Sequence, residues 1–66
     1  MNKIAKQIID IAHSKRLSKK LSQEQVAKRA GIPLSVVSRL ERGDTRVLAS
    51  DVSRILAAVG AKVHIS

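Results

Sequence analysis

Residues 21–43, LSQEQVAKRAGIPLSVVSRLERG, constrain the fold of this 66-residue chain more than any other stretch. They read as two short helices joined by a tight turn. Leu21 precedes Ser22, Gln25 follows Ser22 by three residues and Val26 by four, so a capping box and a hydrophobic staple mark one helix start. That helix ends near Ala30, where Gly31 can take the left-handed conformation of a helix C-terminus. Ile32 before Pro33 is pushed toward extended backbone. Pro33 suits the first turn of a second helix, which runs to about Arg42 and stops at Gly43. Ala27 is small enough for the two helices to cross closely, and Val37 is a branched apolar residue that plugs the second helix into a core. At about 100° per residue, Pro33, Val36, Val37 and Leu40 gather on one side of the second helix. Ser35, Ser38, Arg39 and Arg42 gather on the other, which is small, polar and cationic.

The flanks add further elements. Ile4, Ile8, Ile11 and Ala12 recur at helical spacing against Lys3, Lys6, Gln7, Asp10 and Lys15, which predicts an amphipathic helix over residues 2 to about 18. After the turn Gly43-Asp44-Thr45, the series Leu48, Val52, Ile55, Leu56 and Val59 predicts a helix that starts near Val47 or Leu48 and stops before Gly60. The tail, residues 61–66, alternates Val63 and Ile65 against Lys62, His64 and Ser66, which is strand periodicity. A single strand has no partner within an otherwise helical chain and invites pairing with a second copy; the alternative is a frayed terminus laid against the fourth helix, which would then make the dimer interface alone. The expected fold is therefore all-α, with four to five short helices and a short C-terminal strand, in a single domain over residues 1–66.

Size makes a second copy useful. A chain of this length buries only about 60% of the surface that its unfolded form exposes, so a dimer is expected, with Val63, Ile65 and Val59 as its dimerisation residues. There is no cysteine to form a disulfide or a thiolate metal site. No apolar run approaches membrane-spanning length, and charge interrupts the first ten residues, so neither a membrane anchor nor a signal peptide is expected and the location is cytoplasmic.

Thirteen Lys and Arg against five Asp and Glu leave a formal net charge of +8, which favours a polyanionic partner. Of the cations, only Arg54 and Lys62 lie beyond residue 46, so the positive field belongs to the first three helices. Phe, Trp and Tyr are absent, which removes the platforms on which unpaired bases stack. Double-stranded DNA is the better target. An arginine on an exposed helix face can fork onto guanine in the major groove, which makes Arg39 the first candidate for base readout. Ser35 and Ser38 share its face, and Leu34 at its edge can touch a thymine methyl. Arg42, Arg46, Lys19, Lys20 and Arg16 are expected phosphate contacts. Glu41 is placed either to pair with a nearby arginine or to end the helix as a surface residue.

In its paired helices and in Ala27, Gly31 and Val37, the chain resembles the phage-repressor-like (Cro/C1-type, XRE) helix-turn-helix class. The resemblance implies base-reading positions at Leu34, Ser35 and Arg39 and a phosphate-gripping position at Gln23, although Pro33 and Leu34 depart from the commoner polar pattern. LASDVSRILAAVGA followed by a short alternating segment looks like antitoxins of the HipB type, whose strands pair across the dimer. This implies a homodimeric transcriptional repressor on a palindromic operator, with a cognate toxin as a second partner. The alternatives are a Cro-like regulator without a toxin and a protein-interaction module with an acidic partner.

Other chemistry finds little footing. His13 and His64 have no second ligand at metal spacing, so no metal or other cofactor is expected. Asp10, Glu24, Asp44 and Asp51 form no recognisable carboxylate pair, and Ser22, Ser35 and Ser38 have no adjacent base, so an enzyme is not expected.

Overall fold

Four helices follow one another along residues 6–61, the part of the chain that the computed structural model describes. They are α1 (Lys6–Ser18), α2 (Gln23–Ala30), α3 (Leu34–Glu41) and α4 (Ala49–Ala58), and the described residues contain no strand. The expected all-α architecture is what forms. Segment 62–66 of the expected strand, with Val63 and Ile65, lies outside the described residues, as does Ile4 at the start of the first amphipathic stretch.

The α2–α3 pair forms as its residues dictate. Ser22 Oγ accepts the Gln25 N–H at 3.0 Å while Gln25 Oε1 accepts the Ser22 N–H at 2.8 Å, so two otherwise unpaired donors of the helix start are satisfied reciprocally. At the far end Gly31 adopts φ 69°, and the Ile32 N–H reaches back to Ala27 O at 3.1 Å. A side chain on Gly31 would strain that conformation, which carries the chain out of α2 toward α3. Pro33 stands just before α3 in extended backbone, one position ahead of its expected place in the first turn.

The core is aliphatic throughout. Val26 of α2, Val37 and Leu40 of α3, Val52 and Ile55 of α4, and Val59 are almost wholly shielded from water. Ala27 is buried where α2 meets its neighbours, and α2 lies against both α3 and α4 while α1 lies against α3. Burial of Val59 within its own chain corrects its assignment as a dimerisation residue, because its side chain has no surface left for a second copy.

Two further readings need correction. On α1 the residues turned to the core are Ile9 and Ala12, with Ile8 and Ile11 only half-buried at the edges. A stripe through Ile9 and Ala12 continues one turn on to Arg16, which matters for the site below. The fourth helix begins at Ala49 rather than at Val47 or Leu48. Leu48 is extended, with φ −65° and ψ 142°, which swings its side chain off the helix stripe and leaves it 67% exposed. Val47 is buried in its stead.

Candidate nucleic-acid interface

The polar centre of the molecule is Glu41, the last residue of α3. Its Oε2 accepts Arg16 Nε at 2.7 Å and its Oε1 accepts Arg16 Nη2 at 2.9 Å, a two-pronged ion pair in which the side chains are 12% and 8% exposed. The third arm of the same guanidinium, Nη1, donates to Leu21 O at 2.9 Å. Gln23 Nε2 donates to Glu41 Oε1 at 3.2 Å. His13 Nδ1 lies 2.7 Å from that oxygen, and because an ionised carboxylate can only accept, the shared proton sits on the imidazole nitrogen. Burial pushes the Glu41 carboxyl up, but hydrogen bonds from Arg16, His13 and Gln23, with the Arg16 charge, outweigh it and hold the group below the ordinary carboxylate value.

This cluster fixes the start of α2 against α3. Ser38 Oγ donates to Gln23 Oε1 at 2.9 Å, so the Gln23 amide is held at both ends and keeps one N–H uncommitted. Gln23, at the first position of α2, and Ser38, on the outer face of α3, are thus one unit. Arg16 is placed differently from its expected role: its guanidinium is turned inward on Glu41 and Leu21, and it does not stand among the outward cations.

The outer face of α3 presents Leu34, 42% exposed, the exposed Ser35 and Arg42, and the half-exposed Ser38 and Arg39. Arg39 Nε donates to Asp44 Oδ2 at 3.1 Å. Arg46 holds the same carboxylate with Nε on Oδ1 at 3.1 Å and Nη2 on Oδ2 at 3.2 Å, and its backbone N–H donates to Oδ1 at 2.9 Å. Hydrogen bonds from Arg46 and then Arg39 hold the Asp44 carboxyl far below the usual carboxylate range.

Lys19 and Lys20 are exposed in the link between α1 and α2. Lys19 extends over Gly60 at the end of α4, and Lys20 has a left-handed backbone with φ 55°. Leu34, Ser35, Ser38, Arg39, Arg42 and Gln23 therefore lie on or beside one face, with Arg46 joined to it through Asp44. Asp44 was not singled out from the sequence, but a signal exists: an aspartate two residues ahead of Arg46 can accept its backbone N–H, as in an Asx turn. The geometry offers a rigid helix surface with convergent donors, suited to reading groove edges and holding phosphates.

The described residues contain no cluster of three metal-ligating side chains and no helix long and apolar enough to cross a membrane. Comparison of the chain with curated proteins and with solved structures returned no match. A family model described as helix-turn-helix matches residues 13–64, from the middle of α1 through the whole Glu41 cluster, the α3 face and α4. With that match covering most of its length, the chain belongs to the phage-repressor-like (XRE) helix-turn-helix family of DNA-binding transcription regulators.

Proposed function

We propose that the protein is a sequence-specific transcriptional repressor that binds double-stranded DNA as a homodimer over a palindromic operator and acts by occluding it. The observation that carries this reading is the outer face of α3, where Arg39 is positioned by a hydrogen bond and flanked by Ser35, Ser38 and Arg42. In this arrangement Arg39 reads a guanine, Ser35, Ser38 and Leu34 touch neighbouring base edges or backbone, and Gln23 uses its remaining N–H on a phosphate. Arg42, Arg46, Lys19 and Lys20 neutralise phosphates without reading sequence. Arg16 belongs to the support of Gln23 through Glu41. The α4 and tail sequence supports the narrower reading of an autoregulating antitoxin, for which a kinase-like toxin encoded in the neighbouring reading frame is the expected second partner.

The test is selection of a preferred duplex from a randomised library, followed by affinity measurements on that duplex and on a mixed-sequence one. Arg39→Ala should cost about 1–3 kcal/mol on the selected duplex and relax preference at one base pair. Arg42→Ala should weaken both duplexes alike. Equal loss on both duplexes for Arg39→Ala would make Arg39 a phosphate contact and remove the basis for direct readout.

A further inference from the structure

Among the described residues, Asp44 is the one carboxylate bonded to a cation of the α3 outer face. A negative charge beside a phosphate-binding surface weakens attraction to every DNA sequence, so its placement calls for a compensating role. The geometry supplies one. Arg46 is held by the carboxylate through two side-chain nitrogens and its backbone N–H, whereas Arg39 is held through Nε alone. Nε is the nitrogen nearest the aliphatic stem, and its bond fixes the plane of the guanidinium while leaving Nη1 and Nη2 without partners among the described residues. Those two terminal nitrogens are a pair that can fork onto O6 and N7 of a guanine.

We propose that Asp44 is a specificity-determining positioning residue, which locks Arg39 by its inner nitrogen so that the outer pair meets a guanine end-on, and which ties that orientation to Arg46. The inference rests on the reading of the α3 face as a duplex-DNA surface. Fixing a long side chain before binding lowers the ordering cost of the correct contact. The same carboxylate repels phosphates at any site where Arg39 finds no guanine, so it suppresses binding to wrong sequences. The two effects have opposite signs on affinity and the same sign on discrimination.

The experiment uses the full chain, a duplex selected from a randomised library and a mixed-sequence duplex of equal length. Wild type, Asp44→Asn, Arg39→Ala and the double variant are compared by the ratio of the two dissociation constants. Asn at position 44 keeps an oxygen for the Arg46 N–H, and Asp44→Ser serves as a second variant should the loop or the fold not tolerate Asn. Asp44→Asn should lower the discrimination ratio about fivefold or more while binding the mixed duplex as tightly as wild type or tighter. On top of Arg39→Ala it should leave the ratio unchanged, since no oriented fork remains to lose. Damage to the fold would weaken both duplexes and leave the ratio where it was. An unchanged ratio for an Asp44→Asn or Asp44→Ser variant that binds the mixed duplex at least as tightly as wild type, or an equal fall in the Arg39→Ala background, overturns the positioning role. Failure of the wild-type chain to enrich any sequence and to bind duplexes in a salt-sensitive way overturns the DNA reading itself, and the positioning role with it.

Discussion

The Glu41 carboxylate, at the end of α3, gathers donors from two other helices: His13 and Arg16 on α1 and Gln23 on α2. Removing one partner of a nearly buried pair leaves the other charge uncompensated, which costs about 3–5 kcal/mol. In a domain of this size that is most of the total stability. Glu41→Ala should therefore be largely unfolded at room temperature, by far-ultraviolet circular dichroism and urea titration, and a well-folded variant would contradict the role assigned to the cluster. The pH dependence follows from the lowered pKa. The unfolded chain, with an ordinary carboxyl near 4.5, takes up the proton before the folded one does. The stabilisation is thus fully present above that value and is lost as pH falls through the lower folded value. Asp44 is shifted in the same direction, so a folded Glu41→Gln variant should show a shallower acid loss without abolishing it. In the sequence, Glu41 is visible as a partner for some arginine, but the 25-residue separation hides which one. Recognising Ile9 and Ala12 as the core stripe would have pointed Arg16 inward, because it continues that stripe.

At the scale of elements, all four helices end in the same way. The N–H groups of Leu21, Ile32, Asp44 and Ala61 each return to a carbonyl five residues earlier, and the residue before each has positive φ. Three of those residues are glycines, at 31, 43 and 60, and the fourth is Lys20. A left-handed conformation costs a residue with a side chain about 1 kcal/mol, part of which the greater freedom of glycine in the unfolded chain offsets. Lys20→Gly should raise stability by a few tenths to about 1 kcal/mol, seen as a higher urea midpoint at unchanged slope. A lower midpoint would show that the Lys20 side chain contributes more to the fold than its backbone costs. The boundaries of α2 are legible in the sequence because the Ser22–Gln25 box and Gly31 act locally. The start of α4 is not, since Val47 and Leu48 are both apolar neighbours and tertiary packing selects Val47 for the interior.

For the molecule as a whole, the proposed two-fold operator sets its half-sites about 34 Å apart, one turn of DNA. On the proposed function, each copy takes one half-site and the operator takes two. The fourth helix buries Val52, Ile55 and Leu56 inside its own chain and so offers a second copy little of its apolar stripe. The proposed homodimer then leaves the segment carrying Val63 and Ile65, whose sequence alternates, as the proposed contact. Deleting residues 62–66 should then weaken self-association and binding to the selected duplex together, as read by analytical sedimentation and fluorescence anisotropy. A truncated chain that dimerises with unchanged affinity would place the interface elsewhere.

The central claim is that the +8 chain is a duplex-DNA binder whose Lys and Arg side chains displace counterions from phosphates. Its most direct test is the affinity of the full chain for the selected duplex, measured by anisotropy across a series of salt concentrations. The account predicts a steep linear fall of log affinity with log salt, with a slope of about −0.9 for each phosphate contacted and hence several units in all. A flat dependence would contradict it and assign the basic surface to an acidic protein partner instead.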